Sequence, residues 1–264
     1  GRELTDMYPP VDSEIGDVLI DVRDLCIENT VFDINFDVRE GEIVGLAGLG
    51  GSGRTTIARA IVGLAQIISG DILYFGQKAR MKPASAAQAG VVLIPEDRKA
   101  FGLILDQSTR FNITLPNIHQ LERWRILLKR NEWDPVIAAI EEVQLRPPDP
   151  ELVSGNLSGG NQQKVVIAKW LMARPKVIVF DEPTRGIDVG AKAEIYARIR
   201  EISRQGVGVI MASSDLPELL GMSDRILVMF EGRMVGELSR EEASEEAIMH
   251  LATATDAAVA KQTE

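Results

Sequence analysis

A glycine-rich stretch early in the chain has the residue types and spacing of a phosphate-binding loop. It reads GLGGSGRT over residues 48–55, after an apolar run and before a helical pattern. Glycines let the backbone curl so that successive N–H groups point at an anion, and the following helix adds its positive N-terminal end. The predicted contacts are Gly48, Gly50, Gly51, Ser52, Gly53, Arg54, Thr55 and Thr56. Short motifs also match by chance, so a glycine-rich corner without a ligand stays an alternative.

The residue after the last glycine of this loop departs from the usual pattern. Lysine is expected there, as a slim point charge between the β and γ phosphates, and the chain has Arg54. Arginine is longer, planar and forked. We expect it to keep the positive charge but not the packing, so that nucleotide still binds while phosphoryl transfer, which depends on positioning, suffers.

Two adjacent carboxylates follow a second apolar run, in the stretch VIVFDEPTRGID at residues 177–188. An apolar strand that ends in Asp181 and Glu182 places both carboxylates at the edge of a sheet. Asp181 is predicted to hold Mg²⁺ together with the hydroxyl of Thr55, and Glu182 to polarise an attacking water. A solvated acidic turn is the alternative, and the glycine loop upstream makes it less favoured.

A second glycine-rich turn lies at residues 157–164, which read LSGGNQQK. Ser158, Gly159 and Gly160 open a helix and form another anion cradle. One site does not need two cradles so far apart in sequence. The second cradle is explained if it binds the γ-phosphate of ATP held by another domain. The alternative is an ordinary serine N-cap, which would have the same sequence pattern.

These motifs lie on alternating strand and helix patterns, which predict an α/β core with a mainly parallel sheet. Strands are predicted at residues 18–25, 34–40, 43–48, 71–76, 90–98, 177–180 and 208–213, with a hairpin at 225–238. Helices are predicted at residues 55–61, 161–172 and 189–204, and a helical region at 111–143 with breaks at Pro116 and Pro135.

Composition narrows the class of function. The chain has 264 residues, a net charge of −10 and one cysteine, Cys26. The charge argues against a dedicated nucleic-acid binder, which usually needs a basic face. A single cysteine excludes an internal disulfide. No apolar run approaches the ~20 residues of a membrane span.

The order and spacing of the glycine loop, the LSGG turn and DEPT resemble the ATP-binding cassette (ABC) family over nearly all of residues 18–238. The stretches LSGGNQQK, DEPTRGIDVGAK, PEDRKAFGL and GMSDRILVM are similar to the C-terminal cassette of fused, two-cassette ATPases of bacterial monosaccharide importers. The resemblance implies a P-loop NTPase core, an N-terminal antiparallel β subdomain and a helical subdomain. It also implies ATP and Mg²⁺ as ligands.

The family's site residues can be carried over one at a time. The signature positions are Ser158, Gly159, Gly160 and Gln162, and the D-loop aspartate is Asp188. The Q-loop position, which joins the nucleotide site to the membrane domain, falls on Glu96. The switch histidine falls on Ser214. The aromatic residue that stacks on adenine has no clear equivalent near residues 26–32, and Phe32 is a poor match.

The departures from the family pattern at Arg54, Glu96 and Ser214 suggest that the chain's own nucleotide site is degenerate. Its signature is intact and is expected to serve another cassette. In the family, two cassettes pair head to tail, and each ATP lies between one glycine loop and the other domain's signature. The expected partners are therefore an N-terminal cassette, in the same polypeptide in the full protein, a membrane permease and, indirectly, a sugar-binding protein. The expected location is the cytoplasmic face of the inner membrane, with no nucleic-acid partner.

The sequence also suggests domain boundaries and leaves two rival functions open. We expect a linker at residues 1–16, the cassette at 17–240 with a helical subdomain at about 98–160, and a C-terminal helix and tail at 241–264. Residues 121–130 are either a solvated helix face or a surface for a membrane partner. The rivals are a non-catalytic nucleotide-sensing module and a soluble ABC protein of repair or translation.

Overall fold

Two β-sheets carry the fold in the computed structural model, which describes residues 7–12, 14–121 and 129–253. The strands are β1 Val18–Ile27, β2 Val31–Arg39, β3 Ile43–Gly48, β4 Ile67–Tyr74, β5 Gln77–Lys78, β6 Val91–Ile94, β7 Val177–Asp181, β8 Gly208–Ala212, β9 Arg225–Phe230 and β10 Arg233–Ser239. Residues 1–6 and 13 of the predicted linker, residues 122–128 of the predicted surface at 121–130, and the tail after residue 253 lie outside the described residues.

The larger sheet has six strands in the order β10-β9-β3-β8-β7-β6. Strand β3 pairs in parallel with β8 and β9, β7 pairs in parallel with β6 and β8, and only the hairpin strand β10 is antiparallel. Every residue of β7 and β8 is buried, because both faces of the sheet are covered. Such continuous apolar runs are typical of parallel strands. The predicted α/β core with a mainly parallel sheet is confirmed.

The smaller sheet is antiparallel, in the order β2-β1-β4-β5. Strands β1 and β2 pair with register Ile20 to Val38 and Val22 to Phe36, so their apolar residues share one buried face. This alternation is what the sequence shows at residues 18–25 and 34–40, although both strands are longer than predicted. The predicted antiparallel β piece at the start of the chain is confirmed.

Nine α-helices occur among the described residues. They are α1 Arg54–Ile61, α2 Pro83–Ala89, α3 Thr109–Thr114, α4 Ile118–Leu121, α5 Lys129–Glu142, α6 Gly159–Leu171, α7 Val189–Arg204, α8 Leu216–Met222 and α9 Glu245–Thr253. A π-helical turn, Arg98–Gly102, follows β6. The sequence predicts α7 with the observed bounds but does not predict α2, α8 or the π-helical turn. No helix of the described residues is long and apolar enough to cross a membrane.

The predicted break at Pro135 is wrong. Helix α5 runs through this residue. Proline lacks an N–H and costs about 3 kcal/mol inside a helix. Burial of Val136, Ala139 and Ile140 in the core offsets that cost. Pro116, by contrast, lies in a short 3₁₀ turn between α3 and α4, where a break is predicted.

The two faces of the six-stranded sheet contact two hydrophobic cores. Ile178 and Phe180 of β7 pack in a core with α5, α6 and α7, whereas Val177 and Val179 pack in a core with α1 and the antiparallel sheet. Because β3, β8 and β7 are parallel neighbours, their carboxyl ends share one edge of the sheet. The glycine loop, the two carboxylates and Ser214 therefore meet at this edge, where ligands of open α/β sheets bind.

Candidate functional site

The glycine loop leaves β3 and needs glycine at three of its positions. Gly48, Gly51 and Gly53 have φ values of 148°, 82° and 105°, a backbone region that residues with a side chain rarely adopt. A Cβ atom on Gly53 would also lie 2.7 Å from Cγ2 of Val31. At Gly50 and Gly51 nothing lies within 4 Å of an added Cβ, so this part of the loop faces open space.

Helix α1 starts directly at the end of the loop. Gly53 is its N-cap, and no side chain caps the helix. The first N–H with an acceptor inside the helix is that of Ile57, which donates to the Gly53 carbonyl at 3.0 Å. The amides of Arg54, Thr55 and Thr56 belong to the first turn, which has no acceptors within a helix. The predicted positions are thus arranged as an anion cradle.

Thr55 and Asp181 meet as the sequence predicts. The Thr55 hydroxyl donates to Oδ1 of Asp181 at 3.1 Å. Asp181 is only 4% exposed. Burial raises the pKa of its carboxyl above the ordinary range, while the Thr55 hydrogen bond opposes that shift. A hydroxyl and a carboxylate are ligands that Mg²⁺ accepts.

The Glu182 carboxylate is held from two sides. Nη2 of Arg54 lies 3.3 Å from Oε1, and the Ser214 hydroxyl donates to Oε2 at 3.0 Å. Glu182 has a φ of 49°, the left-handed region, and such strain clusters at functional sites. Arg54 is 9% exposed, and burial lowers the pKa of its guanidinium, opposed by Glu182 and then Asp181.

Two buried polar atoms of the loop have no hydrogen-bond partner among the residues that the structure describes. They are the hydroxyl oxygen of Ser52 and Nη1 of Arg54. A buried donor without a partner costs about 1–3 kcal/mol, and an anion with several acceptor oxygens would satisfy both. The described residues contain no group of three or more His, Cys, Asp or Glu that could hold a metal ion alone. Mg²⁺ held by one carboxylate, one hydroxyl and phosphate oxygens fits this arrangement.

The signature residues lie at the start of α6. Ser158 is exposed and caps the helix, since its hydroxyl accepts from the Asn161 amide at 3.4 Å and from Asn161 Nδ2 at 3.0 Å. A Cβ on Gly159 would lie 2.7 Å from Nη2 of Arg98, and one on Gly160 would lie 2.6 Å from Cβ of Ala191. A side chain at residue 160 would clash with α7, whereas one at residue 159 would first displace the end of the Arg98 side chain. Among the described residues, no hydrogen bond joins Ser158, Gly159 or Gly160 to the glycine loop.

Three other predicted site residues have partners of their own. The Gln162 side chain is buried, and its Nε2 donates to the Ser154 carbonyl at 3.2 Å, so it does not reach the surface beside Ser158. Asp188 caps α7 by accepting from the Ala191 amide at 3.0 Å. Glu96 forms an ion pair with Arg185. Their roles at a nucleotide stay predictions.

Sequence reasoning missed two residues beside the site. Glu218 is 1% exposed, accepts from Thr184 Oγ1 at 2.8 Å and accepts a second hydrogen bond from the Ser213 hydroxyl. It ties the turn after Asp181 to the segment that carries Ser214. The sequence does contain a signal for Glu218, because it lies three residues after Asp215, the spacing of an N-cap and a first-turn glutamate. Arg98 is the second residue.

A sequence model described as the ABC transporter family matches residues 31–185. The chain is 49% identical over 254 residues to the ribose import ATP-binding protein RbsA of Bacillus licheniformis, which covers 96% of this chain and 52% of that protein. It is 45% identical to a putative ribose/galactose/methyl galactoside import ATP-binding protein of Rhizobium etli, over 96% of this chain and 48% of that protein. The chain thus spans about half the length of the curated relatives it matches.

Solved structures agree in fold. The nucleotide-free structure of an ATP-binding cassette from an ABC transporter superposes with a TM-score of 0.77 at 19% identity, covering 90% of this chain and all of that one. The ADP conformation of another such cassette gives 0.75 at 20% identity, covering 93% and 98%. The predicted P-loop NTPase architecture is confirmed.

Proposed function

The chain belongs to the ABC transporter family, and we propose that it binds ATP and helps to power import of a monosaccharide through a separate membrane permease. The observation that carries ATP binding is the glycine loop with two unpartnered buried polar atoms, Ser52 Oγ and Arg54 Nη1, beside Asp181 and Glu182. The monosaccharide is proposed from the names of the relatives, which are ribose or ribose/galactose import proteins.

In the chain's own site, the loop amides and Arg54 would bind the phosphates, and Thr55 and Asp181 would hold Mg²⁺. The metal would neutralise charge on the phosphate oxygens. Glu182 is the group that would orient a water, but Arg54 and Ser214 already engage both of its oxygens. A water could approach this carboxylate only in competition with these two contacts. We therefore infer a degenerate site that binds ATP with little or no turnover.

The signature would complete the working site of a partner cassette. Ser158 is exposed at the start of a 13-residue helix, and the amides of Gly159 and Gly160 lie in the first turn, without acceptors inside the helix. A negatively charged γ-phosphate is the ligand that such a helix end attracts. We propose an N-terminal cassette of the same polypeptide as this partner, with Asp188 near the shared interface.

An apolar surface supports the permease as a further partner. Phe101 and Leu64 are 71% and 56% exposed, and they border a cavity of about 180 Å³ between β6, α2 and α6. Exposed apolar patches mark interaction sites. Phe101 lies five residues after Glu96, the position that would join the nucleotide site to the permease. We propose docking here at the cytoplasmic face of the membrane, and indirect coupling to a sugar-binding protein.

The domain boundaries are proposed from the similarity to ABC cassettes. Residues 1–16 would link this cassette to the preceding one, 17–240 would form the cassette with its helical subdomain at about 98–160, and 241–264 would be a C-terminal extension. Within the described part of the proposed linker, Asp12 forms an ion pair with Arg204 at 2.7 Å. That contact supports a linker packed on the cassette.

A non-catalytic nucleotide-sensing module is the second candidate. The contact between Arg54 and Glu182 favours it, since it would suit binding without hydrolysis. The two candidates differ at the signature. A sensor has no need to supply Ser158 to a neighbour, whereas a transport cassette does.

The substitution Ser158→Arg distinguishes a transport cassette from a nucleotide-sensing module. In the complete polypeptide assembled with its permease, Ser158→Arg places a bulky side chain where the partner's ATP would bind. We expect ATP hydrolysis to fall by about 100-fold or more, the loss typical when transition-state charge stabilisation is removed. The matched control is Ser244→Arg, because Ser244 caps α9 by accepting from the Ala247 amide, just as Ser158 caps α6. Equal activity of the two variants would refute signature donation.

A further inference from the structure

The guanidinium of Arg98 joins two segments that lie far apart in sequence. Nη1 donates to the Arg185 carbonyl at 2.8 Å, and Nη2 donates to the Gly186 carbonyl at 3.2 Å. Both carbonyls belong to the turn between Glu182 and Asp188. A planar fork that binds two successive carbonyls fixes direction as well as distance.

The same guanidinium lies against the signature. A Cβ on Gly159 would be 2.7 Å from Nη2 of Arg98 and 3.2 Å from the Gly186 carbonyl oxygen. A side chain at residue 159 would therefore displace the end of Arg98 and press on the backbone of the turn. Any shift of the Arg98 side chain would leave a gap beside the first residue of α6.

The segment that carries Arg98 is itself anchored. Oδ1 of Asp97 accepts from the amides of Lys99 and Ala100 at 2.9 and 3.0 Å, which caps the π-helical turn. At its other end, Nζ of Lys169 in α6 donates to the Gly102 carbonyl at 2.5 Å. Arg98 therefore projects from a turn that is fixed to the same helix whose N-terminus it supports. π-Helical turns are rare and occur frequently at functional sites.

The other basic side chains that the structure describes near this turn do not take part in holding it. Arg185 is 66% exposed along its side chain and pairs with Glu96, and Lys99 is exposed. Among the described residues, only Arg98 donates side-chain hydrogen bonds to the carbonyls of the turn at 185 and 186. The three pieces it holds are the segment after β6, the signature and the turn before Asp188. In the proposed function the last two would face the partner cassette.

We propose that Arg98 is a positioning residue that fixes the signature relative to the turn before Asp188, and thereby sets the rate of ATP hydrolysis in the site that the signature completes. This inference rests on the proposed function. Arg98 does not touch that nucleotide itself. It acts through Gly159 and Gly186, so its loss lowers turnover and leaves nucleotide binding in the chain's own glycine loop unchanged.

The test compares Arg98→Ala, Arg98→Lys and Lys99→Ala in the complete polypeptide assembled with its permease. We expect Arg98→Ala to lower kcat by about 10- to 100-fold, the effect of a small misplacement of catalytic groups, with KM for ATP within about twofold. Arg98→Lys recovers part of the loss, because one ammonium can reach one carbonyl but not two at fixed angle. Lys99→Ala removes the same charge one residue away and keeps full activity.

Two controls keep the outcome decisive. The thermal unfolding midpoint separates a positioning effect from loss of folded protein, and if Arg98→Ala does not fold, Arg98→Lys decides. Full kcat in a folded Arg98 variant, while Ser158→Arg is inactive, overturns this inference and leaves the proposed function standing. A fall in kcat that only follows the fraction of folded protein overturns it as well. Activity that survives Ser158→Arg overturns both.

Discussion

Gly50 and Gly51 of the glycine loop face open space, whereas Gly159 and Gly160 of the signature are packed against Arg98 and Ala191. Both regions are glycine-rich turns that open a helix. At Gly51 of the loop, glycine is needed for the positive φ, and neither Gly50 nor Gly51 has a described atom within 4 Å of an added Cβ. In the signature, Gly160 is needed because Ala191 already occupies that room, and a side chain at residue 159 would displace the end of Arg98.

The serine hydroxyls of the two regions also differ in whether they have hydrogen-bond partners. Within the described part of the chain, the buried Ser52 hydroxyl and Arg54 Nη1 of the loop have no hydrogen-bond partners. In the signature, the Ser158 hydroxyl accepts from Asn161. A region with open space and unsatisfied donors is built to receive an anionic ligand. The signature offers its exposed serine and its first backbone amides, although Oε1 of the buried Gln162 also has no hydrogen-bond partner among the described residues.

The largest difference between the two regions should appear on adding side chains to their glycines. Gly160→Val would force α6 away from α7, because its Cβ alone lies 2.6 Å from that of Ala191. We expect a loss of about 3 kcal/mol in the free energy of unfolding, the upper end for overpacking. Gly50→Ala is the control, since nothing lies within 4 Å and its φ is not left-handed, and it should stay within about 0.5 kcal/mol of wild type. Denaturant unfolding of the chain measures both. Equal losses of unfolding free energy in the two variants would contradict the view that the signature is packed and the loop is open.

A smaller effect is expected at the proposed magnesium ligands of the loop site, Thr55 and Asp181. Asp181→Asn should weaken Mg²⁺-dependent ATP binding by about 10- to 100-fold, as loss of a charged group at a metal site does. Burial raises the pKa of Asp181, so its carboxylate takes up a proton at a higher pH than an ordinary aspartate.

The pH dependence of binding follows from that shift. Protonation removes the charge that holds Mg²⁺, so the affinity of the wild type falls as the pH is lowered through the raised pKa. The Asp181→Asn variant lacks this contribution and retains only the pH dependence of ATP itself. Calorimetric titrations at several pH values measure the difference. Parallel pH profiles for the two proteins would show that Asp181 does not bind the metal.

The smallest expected change is a gain at the loop site. Arg54→Lys should release Oε1 of Glu182 and supply the slim charge that suits the phosphates. We expect turnover in the chain's own site to rise by about tenfold, or about 1.4 kcal/mol in activation free energy. Arg59→Lys, an exposed arginine in the same helix, is the matched control. Single-turnover hydrolysis by the complete polypeptide with Ser158→Arg already in place isolates this site. No gain would show that the Arg54–Glu182 contact does not limit turnover.

Local patterns predicted the elements that carry the site. Unbroken apolar runs predicted β3 and β7, and a helical pattern predicted α7. Helix α2 was missed because it buries only Ala86, and its start depends on Pro83 and on hydrogen bonds between Lys82 and Ser85. Such a short, small-residue helix leaves no apolar periodicity to detect.

The chemistry of the site was predictable by residue type but not by contact. Thr55 and Asp181 were predicted to meet at a metal; their side chains are hydrogen-bonded, and their role at a metal stays a prediction. The contact between Arg54 and Glu182 joins residues 128 positions apart and depends on two adjacent strand ends and a left-handed φ at Glu182. Burial of Gln162 depends on how α6 faces the core. No spacing in the sequence reports these facts.

The most direct measurement is a calorimetric titration of the chain with ATP, with and without Mg²⁺, followed by chromatography of the recovered nucleotide. The account predicts micromolar affinity, about −8 kcal/mol, strengthened by Mg²⁺, with the bound nucleotide recovered as ATP. No detectable binding up to millimolar ATP would contradict the ligand-receiving role of the glycine loop. Recovery of ADP at a steady rate would contradict the degenerate site.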